Sequence, residues 1–204
     1  RVEKIYQPEP DEILIKLYGS TGKNNLKIVT SSNNYRIHLT NFIKENPFTA
    51  PNFCMVLRKC LTSGRIRNIY TNGLERTVFI DFDTMSEENE LQKYTLAIEL
   101  MGKYSNVILV NSENVILNSL KHFRKDEISE RNILPGYKYE ELKSNKYDLT
   151  KNINPDDFIK FISSNNLDQS NINLSNIFTG ELVGVSTSLI NHALIELNLS
   201  NDVT

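Results

Sequence analysis

The sequence has no tryptophan, two cysteines, three histidines and no long apolar run. Each shortage excludes something. Cys54 and Cys60 lie six apart in one predicted helix, so they point differently and sit too far apart to pair, and no CxxC is present. That cysteine usage fits a reducing, cytoplasmic compartment better than an extracellular one. His38, His122 and His192 fall in three different segments, so no His/Cys/acid cluster has metal-ligand spacing. Neither GxSxG, a P-loop nor GxGxxG is present, and nothing in the chain calls for a cofactor or a catalytic residue. Apolar runs such as Val107 to Val110 are far too short to span a bilayer, so no membrane partner is expected. Charge of one sign is lacking too. The 204 residues carry a formal net charge of −2, so any affinity for a polyanion must come from local charge. The chain starts at Arg1 rather than Met and reads as a piece of a longer protein.

What is present is an ordinary globular composition, 39% hydrophobic and 24% charged. Short alternating runs, Glu12 to Gly19, Leu26 to Thr30 and Tyr35 to Leu39, predict an antiparallel meander. Phe53, Val56, Leu57, Cys60 and Leu61 recur at helical spacing, with Pro51 in the first turn and Gly64 as the C-terminal cap. Asn72-Gly73 between Arg65 to Tyr70 and Arg76 to Phe82 predicts a hairpin with positive φ at both turn positions. Ser86, Glu87 and Glu88 open a second predicted helix with a stripe of Leu91, Tyr94, Ile98 and Met101, ended by Gly102. A second hairpin pairs the runs on either side of Asn111 to Asn114. A polar loop (Lys121 to Asn132) and an extended stretch around Pro135 and Gly136 follow. From about Lys143 the composition reads as a linker with one short helix near Pro155 to Ser163, and a last helical region runs almost to the end. The fold class is α+β: antiparallel sheets with a few helices, then a small helical region.

One local charge anomaly stands out. From Asn46 to Leu74 there is no Asp or Glu, yet Arg58, Lys59, Arg65 and Arg67 are there. Arg58 and Lys59 lie off the apolar helix face, and Arg65 and Arg67, two apart on a strand, share a side. Helix and hairpin side by side would gather them into one phosphate-attracting patch; the competing reading is a solvated face. Lys121, His122, Arg124 and Lys125 form a second basic cluster, weakened by Asp126 and Glu127. At the hairpin mouth, Glu75 and Arg76 offer an acceptor for a base edge and a planar cation for stacking or forking onto phosphate. Their bland alternative is a strand-end charge pair. Asp81 and Asp83 hint at a cation site but read more simply as solvated acids.

Taken in order, "RVEKIYQPEPDEILI", "PNFCMVLRKCLTSGRIRNIYTNGLER", "ELMGKYSNVILVN", "NSLKH" and "ILPGYKY" resemble the N-terminal NFACT domain of the fibronectin-binding protein A family, understood as RqcH-like ribosome quality-control factors. The resemblance runs from Arg1 to about Tyr139. "IFTGELVGVSTSLINHAL" is similar to the start of the family's helix-hairpin-helix region. It implies an NFACT-N domain over residues 1–165, lacking its first residues, and the helix-hairpin-helix start over 166–204. It implies a fold similar to the N-terminal domain of formamidopyrimidine-DNA glycosylases. The implied partners are tRNA, alanyl-tRNA in particular, and large ribosomal subunits carrying peptidyl-tRNA, with template-free alanine tailing as the outcome. The family's Asp-Arg pair needed for tailing falls on Glu75 and Arg76, with Glu in place of Asp. With Glu75 and Arg76 from the resemblance, and Arg58, Lys59, Arg65, Arg67, Lys121 and His122 from the local basic clusters, the expected tRNA-binding set has eight residues. The old family name keeps a fibronectin-binding adhesin as the alternative.

Overall fold

A computed structural model describes residues 1–20, 22–125, 131–141, 145–151, 154–164 and 173–201. The chain divides into two compact units. The first comprises Arg1–Thr71 and Arg76–Glu141, the second Asn72–Glu75 and Leu142–Thr204. Residue 165, where the sequence reading changes region, lies outside the described residues.

The first unit holds two antiparallel sheets. Strands β1 (Val2–Glu9), β2 (Glu12–Gly19), β3 (Gly22–Val29) and β4 (Arg36–Leu39) pair in chain order as the meander. Helix α1 (Asn52–Leu61) follows, then a five-stranded sheet of β5 (Arg65–Thr71), β6 (Thr77–Met85), β7 (Leu91–Glu99), β8 (Asn106–Asn111) and β9 (Ile116–Ser119), also in chain order. One core joins them: Val2, Ile5, Ile13, Ile15 and Ile28 from the first sheet, Phe53, Cys54, Leu57 and Leu61 from α1, and Ile80, Phe82, Leu96, Ile98, Val107 and Leu109 from the second. Each such side chain, fully buried, contributes about 1.5–3 kcal/mol.

The α1 boundaries differ from expectation at the C-terminal end. Ser63, not Gly64, takes the left-handed conformation, with φ 66°. Gly64 is needed for space, because a Cβ there would meet Thr84 Cγ2 at 2.5 Å and the Leu61 carbonyl at 2.9 Å. Cys54 is buried, Cys60 is half-buried, and both thiols are free. Burial pushes both up, with Arg58 acting weakly against it at Cys54 and Tyr94 and Lys59 at Cys60.

The predicted helix from Ser86 to Gly102 is strand β7. Ser86 does not cap a helix; its Oγ accepts from the Glu90 amide at 3.1 Å inside the β6–β7 turn. The stripe misled because the C-terminal half of β7, from Leu96 to Glu99, is buried on both faces. Leu96 and Ile98 face the main core, while Ala97 joins Phe79, Ile108, Val110, Ile116, Ile133 and Tyr139 in a second cluster on the other face. A strand buried on both sides loses its polar alternation, and its apolar spacing then fits either period.

In the second unit, α2 (Pro155–Ser164) confirms the short helix expected there. The last helical region is two helices, α3 (Leu174–Glu181) and α4 (Thr187–Glu196). Asn173 and Ser186 cap their N-termini by accepting from the Ser175 and Leu189 amides. Gly184, with φ 72°, makes the break; a Cβ there would lie 2.7 Å from Leu74 Cβ.

Candidate nucleic-acid interface

The β5–β6 hairpin is present, but its turn is wider than two residues. The last cross-strand pair is Thr71 with Val78, and of Asn72 and Gly73 only Gly73 has positive φ, 61°. The Glu75 amide donates to the Asn72 carbonyl at 3.2 Å to close the turn. Within the second unit, a Cβ on Gly73 would lie 2.5 Å from Asp148 Oδ2. Asn72–Glu75 belongs to the second compact unit, in which Gly73 meets Asp148 and Leu74 meets Gly184.

Glu75 is half-buried and Arg76 exposed. The chain re-enters the first unit at Arg76, whose carbonyl accepts from the Leu100 amide at 2.9 Å. The adjacent Thr77 pairs across the sheet with Glu99. Glu99 is 2% exposed and held from two sides. Its Oε2 accepts from Arg131 Nη2 at 2.8 Å, and its Oε1 from the Tyr139 hydroxyl at 2.9 Å. Arg131 Nη1 also donates to the Glu140 carbonyl. Burial and the Glu99 charge push the Tyr139 phenol far above its ordinary range, so it stays a neutral donor. Arg131 works against burial, but Glu99 and Tyr139 hold it firmly protonated. This buried triad fixes the strand end that presents Arg76. Sequence reading missed it because its members lie 32 and 40 residues apart from Glu99.

The four cations of the acid-free stretch do not all line one hollow. Arg58 folds back on β1: its Nε donates to the Ile5 carbonyl at 2.7 Å, and its guanidinium sits 5.6 Å from the Tyr6 ring centre. Lys59, next to it, is exposed. Arg65 and Arg67 line a different hollow, about 340 Å³, with Arg1 and Asp83. Arg67 falls at a register shift between Ile66 and Asn68, and its Nε donates to Asp83 Oδ2 at 2.6 Å. Strict alternation is lost at such a bulge, so Arg67 also borders a hollow of about 500 Å³ with Tyr70, Asp81 and Lys93. Asp81 accepts from Thr95 Oγ1 at 2.8 Å, and among the described residues no cluster fit for a metal exists.

The second basic cluster is engaged in structure. Lys121 Nζ donates to the Thr30 carbonyl at 3.0 Å, and burial lowers its pKa despite Asp11. His122 is exposed, with Nε2 3.0 Å from Asn118 Oδ1. Of the eight candidate residues, Arg76, Lys59, Arg65 and the partly neutralised Arg67 present charge outward. Arg58 and Lys121 serve the fold first.

Residues 1–204 match the family described as NFACT N-terminal and middle domains. The chain belongs to the NFACT family. The Rqc2 homolog RqcH of Bacillus subtilis (strain 168) is 36% identical over 141 residues, covering 68% of this chain and 25% of that protein. The Rqc2 homolog RqcH of Streptococcus suis (strain 05ZYH33) is 30% identical over 201 residues, covering 96% of this chain and 35% of that protein. This NFACT chain therefore spans about a quarter to a third of the length of these relatives. The crystal structure of the N-terminal domain of fibronectin-binding protein PavA from Streptococcus pneumoniae is similar to it at a TM-score of 0.82 and 28% identity, covering 97% of this chain and 72% of that one. The α+β reading and the NFACT resemblance are both borne out.

Proposed function

We propose that this NFACT segment is the tRNA-holding, large-subunit-contacting part of a cytoplasmic ribosome quality-control factor. It binds and does not catalyse; peptide-bond chemistry belongs to the ribosome. The observation that carries the reading is Arg76, an exposed guanidinium on a strand end locked by a buried ion pair, in a chain whose relatives are named RqcH. A planar cation held on a rigid element can fork onto a phosphate or stack on a base with little entropy to lose. Glu75, beside it, supplies a carboxylate acceptor with one methylene more than the family's Asp. Arg65 and Lys59 add salt-dependent attraction. The partners in this reading are alanyl-tRNA and large subunits carrying peptidyl-tRNA, and the product is an alanine tail. Among the described residues no helix is long and apolar enough to cross a membrane.

Co-sedimentation of the full-length protein with large subunits, followed by sequencing of the bound tRNA, tests this. Enrichment of alanine tRNA is expected; sedimentation without tRNA overturns the reading. Fibronectin binding is the second reading, favoured by the likeness to PavA. It predicts saturable binding to immobilised fibronectin that is insensitive to Arg76→Ala.

A further inference from the structure

The four-stranded sheet has a face that the core does not use. Strand register pairs Lys4 of β1 with Lys16 of β2, and Lys16 with Asn25 of β3. Two residues further along β2, Tyr18 opposes Lys23. Lys4 and Lys16 are thus direct cross-strand partners of like charge, an arrangement that destabilises a sheet. Neither has an ion pair among the described residues. Among the described residues Lys23 reaches only Glu3, at 3.8 Å with both side chains exposed, a pair worth little.

Aromatic groups sit among these cations. Lys16 Nζ lies 5.4 Å from the Tyr6 ring centre, and Arg58 lies over the same ring. Tyr18 is 58% exposed. Two hollows open here, about 260 and 410 Å³. Lys4, Lys16, Lys23 and Asn25 line the first; Lys4, Tyr6 and Arg58 line the second. They share Glu3 and Lys4, so they form one surface on which Lys4, Lys16 and Lys23 present charge against one acid, with Arg58 at its edge held on the Ile5 carbonyl, in a chain that is slightly acidic overall.

We infer that this face binds the phosphate backbone of RNA, as a contact surface separate from the Arg76 hairpin. The inference rests on the RNA-binding reading above and extends it to the other sheet. Phosphates relieve the Lys4–Lys16 repulsion, which no ion pair of either lysine offsets among the described residues. Tyr18, exposed beside these lysines, gives a base a face to stack on, and Asn25 adds an amide. An acidic peptide would satisfy the lysines but leave the aromatic groups without a role.

The test uses the 204-residue chain, fluorescent poly(A) and tRNA, and anisotropy from 50 to 200 mM salt. Lys4→Gln/Lys16→Gln is compared with Lys103→Gln/Lys160→Gln, which changes net charge equally at exposed positions elsewhere. Losing two phosphate contacts lowers the salt slope for poly(A) by about 1.4, or roughly 25-fold in affinity at 100 mM salt. Thermal stability of Lys4→Gln/Lys16→Gln stays level or rises, because a like-charge pair is gone. An unchanged slope, an equal loss in the control pair, or displacement by poly-glutamate as effective as by RNA overturns the inference. If tRNA binding needs Arg76 but ignores Lys4 and Lys16, the inference falls and the tRNA reading stands. If poly(A) binding needs the lysines and tRNA has no advantage over poly(A), the tRNA reading falls and the surface stands. Binding to neither RNA removes both.

Discussion

Replacing Arg131 by Met strands a carboxylate in the protein interior. Arg131 and Glu99 side chains are 9% and 2% exposed, and in wild type Glu99 accepts one bond from Arg131 and one from Tyr139. Arg131→Met leaves Glu99 with the phenol alone. Breaking a buried pair from one side costs about 3–5 kcal/mol, because the remaining charge is uncompensated. For a chain of this size that corresponds to a loss of about 6–20 °C in Tm. Replacing the whole triad (Glu99→Leu, Arg131→Met, Tyr139→Phe) removes the orphaned groups together and returns stability to within about 1–2 kcal/mol of wild type. Thermal unfolding followed by circular dichroism reads both variants. A loss below about 1 kcal/mol in Arg131→Met, or a triple variant worse than the single, refutes the argument that this pair locks the strand end at Arg76.

Two further predictions concern other parts of the molecule. Burial raises the Glu12 carboxyl, but hydrogen bonds from Lys44 and Lys27 outweigh it and hold its pKa below the ordinary carboxylate range. A depressed folded pKa gives stability that is present above the unfolded value and lost as pH falls through the folded one, so Glu12→Gln flattens the acid limb of a stability–pH curve below about pH 4. Gly73→Ala puts a Cβ 2.5 Å from Asp148 Oδ2 at a φ of +61°, and costs about 1–2 kcal/mol in urea unfolding monitored on the second unit.

The sequence made much of this fold legible where local chemistry decides. Helix α1 follows from the spacing of Phe53, Leu57 and Leu61, and the β8–β9 hairpin from its Asn-rich turn, where Asn111 Oδ1 accepts from the Glu113 and Val115 amides. Strand β7 was not legible, because burial of Leu96 to Glu99 on both faces erased, in that half, the period-two signal that separates a strand from a helix. The candidate site was half legible. Arg76 is exposed at the predicted hairpin mouth, but Asn72–Glu75 belongs to the second unit, which local propensity does not encode. Arg58 and Lys121 looked like surface charge because sequence spacing shows which face a side chain leaves from, not the carbonyl it returns to. The lysine face on the first sheet emerges only once strand register sets Lys4 against Lys16.

The measurement that bears most directly on the proposed role is alanine tailing by the full-length protein carrying Arg76→Ala, with Glu75→Asp and Glu75→Ala beside it. Among the described residues the Arg76 side chain makes no hydrogen bond or ion pair, so the variant is expected to keep wild-type Tm and large-subunit association while tailing is lost. Glu75→Asp is expected to keep tailing and Glu75→Ala to reduce it. Wild-type tailing by Arg76→Ala at equal protein level contradicts the assignment.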